Sequence, residues 1–100
     1  MADEYYQGKD LTVRFNVLKD GEEIHPASAT VTVYDDKRLF ITEDVAKIDG
    51  SEVNYILDGG KVQRVGVYIF VFDIDIRQAG SFTHIIEKKV KRLPISKGKK

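Results

Sequence analysis

The stretch GVYIFVFDIDI, residues 66–76, constrains this chain more than any other part of it. Its β-branched and aromatic side chains favour extended backbone over helix. Along a strand, Val67, Ile69 and Val71 fall on one face, and Tyr68, Phe70, Phe72 and Ile74 fall on the other. Both faces are apolar over 67–72, which predicts a central strand covered on both sides, with Asp73 and Asp75 marking where burial ends. A membrane helix needs about 20 apolar residues. This run is shorter and ends in charge, so no membrane partner is expected.

The rest of the chain repeats the same period of two in shorter pieces. In LTVRFNVL, Leu11, Val13, Phe15 and Val17 alternate with Thr12, Arg14 and Asn16, as a half-buried strand requires. In ATVTVY, Ala29, Val31 and Val33 alternate with Thr30, Thr32 and Tyr34; in EVNYIL, Val53, Tyr55 and Leu57 share a face. Turn residues separate these runs at Lys19-Asp20-Gly21-Glu22, Asp35-Asp36-Lys37, Asp49-Gly50-Ser51 and Asp58-Gly59-Gly60-Lys61. Pro26 ends a short strand near Ile24, because it has no N–H to give. Residues 39–48 fit two short strands better than a helical turn capped by Thr42, since Asp49-Gly50-Ser51 then turns into EVNYIL. Beyond a turn at 77–81, residues 82–93 return as the hairpin partner of the long strand. Pro94 and the polar residues after it read as a frayed end.

About seven strands without an amphipathic helix predict an all-β fold, either a sandwich or a barrel. One hundred residues suit a single domain, placed at 1–93, with 94–100 a basic flexible tail. With no cysteine there is no disulfide, and stability rests on packing. The opening MADEYYQGKD is acidic and polar, so no secretory signal is expected there. The formal net charge of zero conceals a division. Residues 1–87 hold all sixteen acidic and nine basic residues, a net −7, while 88–100 hold seven basic residues and a net +7.

Little in this sequence points to catalysis. The two histidines, His25 and His84, have no nucleophilic serine elbow or thiol to work with, and neither has a neighbour at metal-ligand spacing. His25 belongs to a polar loop, whereas His84 sits on the strand face of Phe82 and Ile86 as a partly buried structural residue. Asp73 and Asp75 share one strand face about 7 Å apart. With oxygens from Asp35 and Asp36 they form a candidate calcium site, but the bland account of a charged, solvent-facing strand end is favoured. No cofactor is expected. The basic end KKVKRLPISKGKK solubilises the chain or docks it on an acidic neighbour through Lys97, Lys99 and Lys100. Nucleic acid is disfavoured as a partner, because the body at −7 repels phosphate and the tail has no aromatic residue to stack on bases.

Taken in order, Gly8-Lys9-Asp10, Asp20-Gly21, Ala29-Thr30-Val31-Thr32-Val33-Tyr34, Gly50-Ser51-Glu52-Val53-Asn54-Tyr55 and Gly66-Val67-Tyr68-Ile69-Phe70 form a pattern. Over residues 8–90 it resembles the immunoglobulin-like domains of tailed-phage structural proteins, most closely the N-terminal Ig-like module of baseplate upper proteins. The resemblance implies an immunoglobulin-like antiparallel β-sandwich of about seven strands, in which Tyr68 anchors a corner through its hydroxyl. The paired cysteines and core tryptophan of antibody domains are absent, and the basic tail lies outside the family pattern. It further implies a non-enzymatic virion component (baseplate, tail or head accessory) that contacts other structural subunits by self-association or through an acidic neighbour. The alternative is a carbohydrate-binding or adhesin module of Ig-like or fibronectin-like type, for which Tyr5, Tyr6 and Tyr34 are the available aromatic platforms.

Overall fold

The structure, a computed structural model, describes residues 5–77 and 84–97. Ten strands and one 3-10 turn make up the described chain. The strands are β1 (Tyr5–Tyr6), β2 (Leu11–Asn16), β3 (Leu18–Lys19), β4 (Glu22–Glu23), β5 (Ser28–Tyr34), β6 (Phe40–Val45), β7 (Lys47–Asp49), β8 (Glu52–Leu57), β9 (Gly66–Arg77) and β10 (His84–Ser96). They form a five-stranded sheet ordered β1-β10-β9-β5-β6, a three-stranded sheet ordered β2-β8-β7, and the small β3-β4 hairpin. The all-β class and the absence of disulfides agree with the sequence.

One core joins the two larger sheets. From the larger sheet, Ala29, Val31, Val33, Tyr68, Phe70, Phe72, Ile74 and Ile76 are buried; Leu11, Val13, Val53, Tyr55 and Leu57 come from the smaller one. Edge-to-face ring contacts cross between them, Phe15 to Phe72 at 5.0 Å and Tyr55 to Phe70 at 6.3 Å between centroids. The alternation of β2, β5 and β8 delivers these side chains as expected. The β3–β4 turn has positive φ at both Asp20 and Gly21, which is how an Asp-Gly pair closes a two-residue hairpin.

Residues 39–48 do form two strands, but each joins a different sheet. β6 pairs with β5, and β7 pairs with β8. The crossing takes place at buried Ala46, whose N–H donates to Ala29 O at 2.9 Å.

Two expectations about the long strand need correction. β9 is central, between β10 and β5, but only its Tyr68–Phe70–Phe72 face is fully covered. Val67 is 37% exposed, and Ile69 and Val71 are half-buried. Nor does burial stop at Asp73, because Ile74 and Ile76 remain in the core. The two aspartates simply take the outward positions of a strand whose inward positions stay buried. Among the described residues one sheet opposes β9, and its second apolar face has no cover of its own.

The final strand also runs further than its proline suggests. β10 continues through Pro94 to Ser96, with Ile95 buried and β1 paired to it in parallel at Tyr5–Ile95 and Tyr6–Ser96. The N–H of Val67 turns to Asp36 Oδ1 at 3.1 Å. Its ladder partner Pro94 is therefore in a non-hydrogen-bonded pair. The proline nitrogen then faces away from β9, so its missing N–H breaks no β9–β10 ladder bond.

Candidate functional site

The outward face of the larger sheet is the surface that the core does not explain. Opposed residues in an antiparallel ladder share a face, so the register sorts this surface into rows. Arg92, Ile69, Tyr34 and Phe40 form one row; Val90, Val71, Thr32 and Glu43 the next; Lys88, Asp73, Thr30 and Val45 the third. Pro94 and Val67 close one end. Phe40 is 64% exposed, Val45 78% and Val90 41%. With the half-buried Tyr34, Ile69 and Val71, they make an apolar band across four strands.

Charge on this face is divided by strand. β10 contributes Lys88 and Arg92, whereas β6 contributes Glu43. Between them Asp73 meets Lys88 at 3.2 Å, and Thr32 Oγ1 donates weakly to Glu43 Oε2 at 3.4 Å. On the inward side of β10, Lys89 and Lys91 hold their ammonium groups 6.0 and 5.6 Å from the Phe15 ring. Those cations cover the aromatic rim of the core. They also discourage another strand from pairing along β10, whose outer edge meets β1 only at Ile95 and Ser96.

The candidate metal carboxylates are not gathered. Asp73 and Asp75 lie opposite Thr30 and Ser28, while Asp35 and Asp36 follow Tyr34 at the other end of β5. Asp35 is buried, and its Oδ1 accepts from Lys37 N–H at 2.8 Å and Leu39 N–H at 3.0 Å, holding the β5–β6 turn. Asp36 serves Val67 N–H. Among the described residues no group of three or more acidic or histidine side chains is placed to hold a metal ion. His25 is exposed, as expected of its loop; the expected burial of the His84 side chain lies outside the described residues. Of the partner-contact candidates, Tyr34 is in the apolar band and Lys97 is exposed beyond the end of β10. Lys99 and Lys100 lie outside the described residues.

The chain matches no family model and no curated protein.

Two polar arrangements at the open side of the core matter for stability. The Tyr68 hydroxyl accepts the backbone N–H of Arg64 at 3.0 Å, tying the start of β9 to the segment before it. The Tyr55 hydroxyl donates to Asp44 across the two sheets. Thr42 Oγ1 also donates to Asp44 at 3.3 Å and accepts from Lys61 Nζ at 3.4 Å. Burial first, and then the hydrogen bond and the negative charge of Asp44, push the Tyr55 hydroxyl well above the usual tyrosine range. Tyr55 therefore stays a donor throughout neutral and mildly alkaline conditions. Nearby, Asp35, Ile41, Gly60, Lys61, Arg64 and Tyr68 line an open cleft of about 270 Å³.

Sequence periodicity named most of the residues of the outer face without recognising it. Val67, Ile69 and Val71 were expected to be covered, so the surface they make with Phe40, Val90 and Tyr34 went unseen. The informative sign is a strand apolar on both faces in 100 residues, a size that suits one modest core.

Proposed function

We propose that this chain is a non-enzymatic assembly module, an immunoglobulin-like sandwich that contacts other protein subunits in a virion of the tailed-phage type. The observation that carries the assembly role is the exposed apolar band of Phe40, Tyr34, Val90 and Val67 on the outer face of the larger sheet. An exposed apolar band rimmed by charge is of the kind found at protein contact sites. The immunoglobulin-like assignment draws support from strand order. A sheet ordered β1-β10-β9-β5-β6 against one ordered β2-β8-β7 has the same arrangement as a sandwich whose last two strands form its central hairpin. The Tyr68 bond to Arg64 N–H is of the kind that anchors the corner in such domains. The virion setting rests on the motif resemblance over residues 8–90.

A glycan-binding role has one observation in its favour, the adjacent aromatic pair Tyr34 and Phe40 on that same face. Density-gradient fractionation of particles from a producing lysate, probed with antibody to this chain, tests the virion setting. Recovery with the particles is expected, and recovery only in the free protein fraction sinks it. Binding on a glycan array that disappears in Tyr34→Ala would replace the assembly role with sugar recognition.

A further inference from the structure

We infer that the outer face of the larger sheet docks on the same face of a second copy of this chain, about a two-fold axis parallel to the strands. This rests on the assembly reading and specifies its partner and geometry. Charge placement selects the occupant. On this face Lys88 and Arg92 belong to β10, Asp73 and Asp75 to β9 and Glu43 to β6; Asp73 takes Lys88 within the same copy, and Arg92 and Glu43 stand on opposite sides of the face. A two-fold axis along the strands turns β10 of one copy over β6 of the other. Arg92 then approaches Glu43 and the ring of Phe40 in the second copy, and the same contacts recur by symmetry on the opposite side. In between, Ile69 and Val71 of each copy meet Tyr34 and Thr32 of the other as two sheets pack, about 10 Å apart with nearly aligned strands. A face with one sign of charge would repel its own copy; this one complements itself.

Area sets the strength. Four strands about 4.8 Å apart, over about nine residues at roughly 3.3 Å each, give a face of about 500 Å² per copy. About 1,000 Å² buried in total lies at the lower limit for a specific interface. The dimer is therefore weak, forming in the micromolar range or above, and tightens only where copies are held together by an assembly.

Sedimentation velocity of the purified chain, run from about 5 to 500 μM, is the test. The wild type is expected to pass from monomer to dimer across that series. Glu43→Arg alone and Arg92→Glu alone each place like charges across both symmetric contacts, and each should lower the dimer fraction at least tenfold. An equimolar mixture of the two variants restores both opposite-charge contacts, and heterodimer should reappear at wild-type concentrations. Circular-dichroism melts confirm that both exposed-site variants remain folded, and the wild-type series decides the matter even if one does not. A wild type that stays monomeric throughout overturns the inference. So does a dimer indifferent to both charge reversals, or a mixture that stays monomeric. Monomeric wild type together with recovery in the particle fraction would remove self-docking and leave the assembly role standing. Absence from particles with an intact, charge-dependent dimer would do the reverse.

Discussion

Replacing Tyr68 by phenylalanine isolates a single bond. The ring is buried to 1% exposure between the two sheets, and Phe keeps that ring and nearly all of its packing. What disappears is the hydroxyl that accepts Arg64 N–H at 3.0 Å. A typical intramolecular hydrogen bond contributes about 0.5–1.5 kcal/mol net. Arg64 is exposed, so water can reach the freed N–H and keep the loss near the middle of that range, about 1 kcal/mol. For a domain of this size, that corresponds to a melting temperature lower by about 4–8 °C. Urea unfolding followed by circular dichroism should show the midpoint falling by roughly 0.3–1 M at an unchanged slope. A variant within about 0.3 kcal/mol of wild type would mean that the hydroxyl does not hold this corner. A loss above about 3 kcal/mol would mean that the ring had moved as well.

Other changes probe different links. Phe70→Ala removes a fully buried ring that contacts Tyr55 edge-on; it should cost about 3–5 kcal/mol in the same urea assay, and a loss below about 1 kcal/mol would overturn its place in the core. Gly66→Ala is strained twice, by φ of +118° and by a Cβ that would stand 2.6 Å from Asp36, so a loss of roughly 2–3 kcal/mol is expected. Adding Asp36→Gly removes both the Cβ and the carboxyl that the new methyl meets, but not the backbone strain at residue 66, so full recovery in the double variant would refute the backbone part. For Tyr55, the folded state raises the hydroxyl above its unfolded value of 10.0, and the linked stability is therefore complete below pH 10 and lost as pH rises beyond it. Thermal melts from pH 9 to 11 should fall more steeply for wild type than for Tyr55→Phe; parallel slopes would rule out the linkage.

The parts of the fold that were legible in the sequence are those where one residue's environment follows from its immediate neighbours. Alternation in β2, β5 and β8 requires only that one face be buried, and a two-fold period states which. Asp20-Gly21 needs only its own backbone to close a hairpin. The strand ends were harder because they depend on residues far away in the chain. Pro94 stops a strand if its nitrogen faces a neighbour, but Val67 spends its N–H on Asp36, 31 residues earlier, and this turns the proline outward. Similarly, β6 and β7 look like one interrupted segment until Ala46 is seen to bond Ala29 and carry the chain between sheets.

The outer face was harder still, for a reason that bears on function. Sequence reports how apolar a strand is, not what is available to cover it. Val67, Ile69 and Val71 have the same composition as a buried face, and three-layer folds do bury such strands. Only the count of sheets shows that this chain, among its described residues, has one cover for two apolar faces. The chain tolerates this exposure beside a guarded β10: Lys89 and Lys91 lean over Phe15 on one of its faces, and Lys88 and Arg92 stand on the other. Those cations resist edge-to-edge pairing while leaving the flat face accessible. An apolar face kept open beside a protected edge directs association to the face, where charge of opposite sign on β6 and β10 sets the orientation in which two copies fit.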